Sequence, residues 1–294
     1  MDHREFMASL EPELRARLTA RSDAAGLRHL ALHGGAILAL GFWIGFGLPL
    51  WWALLPLQGV LIVFLFTLEH EATHKTPFAS EVLNEWVGRA CGFLIVLPFE
   101  WFRYFHLAHH RWTNIAGRDP ELAGGKPETW AAWVWQVSGL PYWLSQVRLL
   151  GQLVRGKAKA EYLPSGAVGR MVAQARWMGL GYAAVLGSLL VTPLLFWVWL
   201  LPVVLGQPFL RIYLLAEHGD CPRVANMFEN TRTVFTTALV RILAWNMPYH
   251  VEHHVMPSVP FHHLPELHGV LKAELRVTAA GYAAFTMAYL TRRR

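Results

Sequence analysis

Three short stretches hold most of the side chains in this 294-residue sequence that could do chemistry. They are His70-Glu71-Ala72-Thr73-His74, His106-Leu107-Ala108-His109-His110 and His250-Val251-Glu252-His253-His254. Eight of the fifteen histidines fall in them. On a helix, residues three and four apart share a face. His70 and His74 can therefore point one way, and each later cluster can present three imidazoles from about one turn. Imidazole suits iron, zinc, copper and nickel. A structural zinc takes about four ligands, so eight are too many for one such ion. The economical reading is two metal ions shared by the clusters, with oxygen-activating iron as the expected metal.

The composition places these clusters in a membrane protein. Hydrophobic residues make up 54% of the chain and charged residues only 16%, against roughly 25% charged in soluble domains. There are fourteen tryptophans, a residue favoured at bilayer interfaces. The net charge of +6 comes from basic residues that flank apolar runs and form no groove or nucleic-acid motif, which argues against nucleic acid as a partner and fits an inner-leaflet bias. Cys91 and Cys221 are too few for a disulfide framework and are expected to be free thiols. The N-terminal stretch is charged, with no early apolar run, so the first hydrophobic segment is expected to be a retained span and not a signal peptide.

The elements that must position the histidines follow from the apolar runs. Leu30–Leu48 and Trp51–Leu68 each approach the roughly 20 residues that cross a bilayer, joined by an uncharged turn at Gly47, Pro49 and Trp51. Met178–Val191 and Leu194–Arg211 form a second apolar hairpin around Thr192 and Pro193. The expected fold is thus all-α and integral to the membrane: four transmembrane helices as two hairpins, with a cytoplasmic helical cap. Ala79–Leu97 reads as an interfacial helix that precedes the helix of the second cluster. Trp130–Val154 reads as amphipathic or re-entrant, because Gln136, Pro141, Gln146 and Arg148 interrupt it. The chain is loop-like from Arg211 to Asn246, and Phe261–Glu274 is a helix beneath the third cluster. Residues 1–28 form an N-terminal amphipathic helix, residues 29–277 the catalytic domain, and residues 278–294 a basic tail ending in Arg292-Arg293-Arg294. The charged flanks put both termini and all three clusters in the cytoplasm, at a bacterial inner membrane. The clusters lie at span ends and not in mid-span, which argues against a metal channel.

In order, internal spacing and placement after each hairpin, these clusters resemble the three histidine boxes of the membrane fatty acid desaturase and hydroxylase superfamily. The likeness covers about residues 30–275. Three residues between His70 and His74, the segment His109-His110-Arg111-Trp112-Thr113-Asn114, and His250 where front-end desaturases carry Gln are similar to the desaturase branch. The resemblance implies two iron ions held by His70, His74, His106, His109, His110, His250, His253 and His254, with His218 as a ninth ligand. Animal acyl-CoA desaturases carry an Asn four residues before that extra histidine; here Leu214 stands there. It also implies O2 as co-substrate, a lipid or fatty-acyl substrate, and electrons from a separate ferredoxin- or cytochrome-type donor, since no cysteine cluster or spare length for a fused one is seen.

Glu71, Asp119, Glu217, Asn246 and Glu252 are the candidates for orienting imidazoles by accepting their second N–H. Arg111 and Arg232 are expected to anchor at the inner leaflet or to meet a headgroup or carrier. His29, His33, His262, His263 and His268 are left outside the site. The implied reaction is O2-dependent oxidation of an unactivated C–H bond, with formation of a C=C bond in an acyl chain. The alternatives are a hydroxylase on the same scaffold and, from another class, a membrane metal-binding or transport protein.

Overall fold

The computed structural model describes residues 2–157 and 159–293, so Arg294 of the expected basic tail lies outside the described residues. The N-terminal segment is two helices and not one, α1 (His3–Ser9) and α2 (Pro12–Leu18). Pro12 has no N–H to continue the first helix and starts the second instead. α3 (Asp23–Gly45) begins inside the same segment, where the Ser22 hydroxyl accepts from the Ala25 N–H as an N-cap. Phe6 and Leu18 are buried, with Phe6 edge-on to Phe228 at 5.8 Å, so this segment docks on the rest of the protein.

α3 presents Leu32, Leu38, Phe42 and Phe46 outward, an apolar surface suited to lipid. A turn with left-handed Gly47 and Leu50 returns the chain through α4 (Leu55–Val63) and α5 (Leu65–Thr73). The later apolar helix, α11 (Leu201–His218), runs on from a π-turn at Phe196–Leu200. α4 and α11 meet backbone to backbone. A Cβ on Gly59 would stand 2.0 Å from the Pro202 carbonyl oxygen, and one on Gly206 would stand 2.3 Å from the Gly59 carbonyl carbon. Small residues are what allow such an approach between membrane helices.

Among the described residues, three stretches are long and apolar enough to cross a bilayer: Pro12–Gly45, Trp51–Thr73 and Phe196–His218. The expected fourth span belongs to α10 (Ser165–Ser188). That helix has the length, but its first half carries Arg170, Gln174 and Arg176, and only its second half is apolar. α6 (Glu81–Ile95) and α7 (Phe99–Trp112) would together make another apolar stretch, but they bend by 98° between them. Val96 turns left-handed at the bend and Pro98 supplies the N-cap of α7. The aromatic stretch 130–154 is two helices, α8 (Trp130–Val137) and α9 (Leu140–Val154), parted at left-handed Gly139.

Beyond α11 the chain is more ordered than its polar sequence suggests. α12 (Met227–Asn230), a two-residue strand β1 (Thr233–Val234) and α13 (Ala238–Leu243) lead to α14 (His250–Val255). α15 (Leu264–Leu271) and β2 (Thr278–Ala279), which pairs parallel with β1, follow. α16 (Tyr282–Thr291) lies in the segment read as a tail and buries Phe285 and Tyr289 beside Leu215 and Ala216 of α11. The core that supports α14 includes Val251, Val255, Trp245 and Met247. His29 and His33 of α3 reach it from the side. His33 Nδ1 accepts from the Trp245 indole N–H at 3.2 Å, and the His29 ring packs 4.3 Å from the Trp245 ring.

The α4–α11 contact is open to a direct test. Gly206→Val inserts a branched side chain where no Cβ fits, and overpacking costs about 1–3 kcal/mol or more. A clear drop in the melting temperature of the purified protein in detergent is the expected outcome; an unchanged value contradicts the close crossing.

Candidate metal centre

Seven of the nine imidazoles sit at the C-terminal ends of four helices; His106 lies one turn earlier in α7 and His250 starts α14. His70 lies in the last turn of α5 and His74 is its C-cap. His109 and His110 lie in the last turn of α7, His218 at the end of α11, and His253 and His254 in the last turn of α14. His74 and His110 are partly buried and the other seven are buried. A helix C-terminus carries partial negative charge from its unpaired carbonyls. Four such ends favour positive charge between them.

The nitrogens sort into two groups. His70, His74, His106, His110 and His253 place ring nitrogens within 4.8 Å of one another, and so do His109, His218 and His254. His250 joins the second group, its Nε2 lying 3.1 Å from the Nε2 atoms of both His218 and His254. The second and third clusters are therefore each divided between groups. Positions i and i+4 stay on one side of the helix while i+3 is rotated away, so His106 and His110 part from His109, and His250 and His254 part from His253.

The outer nitrogens show what the inner ones must be. The Asp119 carboxylate faces His109 Nδ1 at 3.0 and 3.1 Å. The His218 Nδ1–H donates to the Asn230 carbonyl at 3.1 Å. The Thr113 hydroxyl donates to the His109 carbonyl at 2.8 Å, so its oxygen is left to accept from His254 Nδ1 at 3.2 Å. Glu217 stands 3.5 Å from His250 Nδ1, and Glu71 stands 3.4 Å from His253 Nδ1. A neutral imidazole with its proton on Nδ1 has a lone pair on Nε2. Yet Nε2 faces Nε2 at 3.2 Å for His109 and His218, at 3.1 Å for His110 and His253, and at 2.9 Å for His74 and His106. Buried lone pairs at that range repel unless a cation lies between them. Two nitrogens at right angles on one ion, each bonded at ~2.1 Å, stand ~3 Å apart. The donor set thus fits metal ions, two of them, through nitrogen.

Of the five acidic or amide candidates, Asp119, Glu71 and Glu217 face imidazoles of the site. Glu252 and Asn246 do not. Glu252 lies two positions from His250, on the far side of α14, and there accepts from His268 Nδ1 and the Thr233 hydroxyl. His268 therefore sits outside the pocket, as expected, but holds this carboxylate. Asn246 is left-handed, a conformation Asn tolerates; it closes α13 and donates from its amide to the Phe261 carbonyl at 2.9 Å. Arg232 is buried and donates to the Ala216 carbonyl at 2.6 Å, with its guanidinium over Phe285, so it does not reach a leaflet. Thr113 and the Asn230 carbonyl escaped the sequence reading. Thr113 is four residues after His109, a spacing that could have pointed to it, whereas a backbone carbonyl leaves no trace in the sequence.

The family model for fatty acid desaturases matches residues 47–286, a span that contains all nine histidines.

The chain belongs to the fatty acid desaturase family.

An sn-1 oleoyl-lipid 12-desaturase of Picosynechococcus sp. is 23% identical over 252 residues, covering 76% of this chain and 70% of the relative. A chloroplastic omega-6 fatty acid desaturase of Spinacia oleracea is 24% identical over 237 residues, covering 72% of this chain and 52% of the relative. An endoplasmic-reticulum omega-3 fatty acid desaturase of Vigna radiata var. radiata is 32% identical over 108 residues, which is 36% of this chain and 28% of the relative. The chain thus spans about half the length of the spinach relative. Family membership places this desaturase-family chain among the oxidoreductases, and its apolar helices make it an integral membrane protein.

The orienting contacts predict a contrast. Asp119→Ala removes the acceptor that fixes the His109 tautomer, so metal affinity falls about 10–100-fold, measured by competition with a chelator. Glu252→Gln, whose partners lie outside the pocket, leaves metal affinity unchanged.

A second prediction concerns pH. Burial, and after it the neighbouring imidazoles, hold His253 and His254 well below the ordinary imidazole range. Burial first and His109 second push His74 down to about 3. The unfolded chain takes up protons as pH falls through ~6.5, while these folded imidazoles stay neutral, so stability falls with pH below that point. The melting temperature of metal-free protein should hold above pH ~6.5 and decline steadily below it; a flat profile down to pH ~5 would falsify the buried-neutral arrangement.

Proposed function

We propose that this chain holds two iron ions, one in each histidine group, and desaturates an acyl chain of a membrane lipid with O2 and electrons from a separate donor protein. The observation that carries this is the convergence of nine buried or partly buried imidazoles whose lone pairs face one another in two groups. The family supports the reaction type, and the relatives named as oleoyl-lipid and omega-6 desaturases support a lipid-linked acyl chain as substrate.

When bound, the two irons supply O2 reduction: one O2, two donor electrons, two protons from water and two C–H bonds of the chain become one C=C bond and two waters. The protein's own residues do the rest. His70, His74, His106, His110 and His253 hold one ion, and His109, His218, His250 and His254 hold the other. Asp119 and the Asn230 carbonyl fix Nδ1 protonation at His109 and His218, which keeps each Nε2 free to ligate. Glu71 and Glu217 do the same for His253 and His250 across longer gaps. The apolar stretches Trp51–Thr73 and Phe196–His218 both lead to ligating histidines, so an acyl chain lying beside them ends near the metals and is held in place for reaction. Burial of the ligands keeps bulk water from the site.

The same reading sets the topology. The apolar half of α10 makes the fourth crossing, so that both hairpins return to one face, and α7, α14 and α15 cap the metals there. Basic flanks put that face and both termini in the cytoplasm, at a bacterial inner membrane.

The deciding test is mass spectrometry of total lipids from cells that express the wild type or His253→Ala. An acyl product lighter by two hydrogens, absent from the variant, is expected. A histidine-dependent product heavier by one oxygen would replace desaturation with hydroxylation.

A further inference from the structure

A cleft of about 1370 Å³ opens beside the histidine pocket, on the outer face of α7. Its walls are α7 from Tyr104 to Trp112, the loop from Gly117 to Ala123, and residues Glu161 to Pro164. It exceeds the ~300–1,000 Å³ of an ordinary small-molecule pocket. Its lining mixes aromatic rings with arginines, the residue types that anchor protein–protein contacts.

Two features set this cleft apart from the rest of the surface. The first is charge held in place. Two guanidiniums lie over the Trp112 ring, Arg118 at 4.4 Å and Arg111 at 5.3 Å from its centroid. Both arginines are exposed, and stacking on the indole restrains them, so less freedom is lost when an anion pairs with them. Lys159 lies against the adjoining hollow, which shares Glu161 and Leu163 with the cleft. Of the two carboxylates in the lining, Asp119 is buried against His109 and Glu161 is exposed, so Arg111, Arg118 and Lys159 outnumber Glu161 among the exposed charges. The second feature is a direct link to the metal-facing atoms. Asp119 forms part of the wall, and its carboxylate is the one that bonds His109 Nδ1. From cleft to metal site the path is one carboxylate and one imidazole.

We propose that this cleft receives the electron donor, a one-electron carrier protein with an acidic face, and that electrons reach the metals through Asp119 and His109. The proposal rests on the di-iron reading. Each encounter oxidises the carrier by one electron and reduces a metal by one, and two encounters supply the two electrons that the C–H bonds do not. Arg111 and Arg118 steer and orient the carrier, Trp112 forms the apolar centre of the contact, and Asp119 is a positioning residue for His109. A lipid headgroup would also seek guanidiniums. The width of the cleft and its wall on a ligand-holding carboxylate favour a protein whose task is to deliver electrons.

The test uses the full chain, free of metal, in phosphatidylcholine nanodiscs. Binding of two acidic probes, a plant-type ferredoxin and the soluble haem domain of a cytochrome b5, is followed at low and high salt. The wild type is expected to bind at least one of them, more weakly as salt screens the contact. Arg111→Glu combined with Arg118→Glu should weaken that binding at least about tenfold and flatten its salt dependence. Glu161→Lys should strengthen it, a gain that misfolding cannot produce. In metal-loaded protein the double variant should keep its metal content and its rate of reduction by dithionite, but lose its rate with the protein donor. Three outcomes overturn the proposal: the wild type binds neither probe, the double variant binds as the wild type does, or the double variant loses affinity only for phosphatidylglycerol vesicles, which would make the cleft a headgroup site. Because binding is read without metal, a failure of the di-iron reading would show separately, as absent metal or absent desaturation.

Discussion

Imidazole lone pairs cannot be pressed together in a dry interior unless positive charge stands between them, and the rest of this structure depends on that constraint. Nε2 atoms meet at 2.9 to 3.2 Å. An outer nitrogen that faces a carboxylate, carbonyl or hydroxyl keeps its proton there, so a neutral ring turns its lone pair inward. The last turns of α5, α7, α11 and α14 add their own negative ends to the same small volume. Local sequence, helix direction and hydrogen bonding thus agree on one outcome, a cluster of imidazoles with the make-up of a metal centre.

That centre also explains features of the fold that propensity alone would not choose. The 98° bend between α6 and α7 turns a stretch apolar enough to cross a bilayer into one that carries His106, His109 and His110 beside α5 and α11. The left-handed pair Trp245 and Asn246 ends α13 and redirects the chain into α14, while Trp245 is held by His29 and His33 from the first long helix. Histidines with no place among the ligands therefore still serve the site, by fixing the element that presents three of them.

Much of this was legible in the sequence because it depends on helical periodicity. The i, i+3 and i+4 spacing located the eight box histidines, and apolar runs located α3, α4–α5 and α11. Asp119, Glu71 and Glu217 were legible as acids near histidines. Glu252 and Asn246 looked the same by that criterion and differ only in helix phase and backbone conformation, which spacing does not report. The division of each later cluster between two groups follows from helix rotation, but which partner meets which depends on how four helices are packed. The pieces that stayed hidden are a backbone carbonyl at Asn230, a two-residue strand pair, and an arginine, Arg232, whose burial comes from contacts far away in sequence.

The crossing of α4 and α11 at Gly59 and Gly206 has a consequence for traffic within the membrane. These two helices lead to His70, His74 and His218, and where they cross there is no room for a single methyl carbon. A seam that excludes a methyl group excludes a hydrocarbon tail. At that crossing no lipid tail threads between the pair toward the histidine pocket, so lateral access from the bilayer must use other seams of the helix bundle. This joint acts as a closed wall, and the doorway must be looked for elsewhere along the perimeter of the bundle.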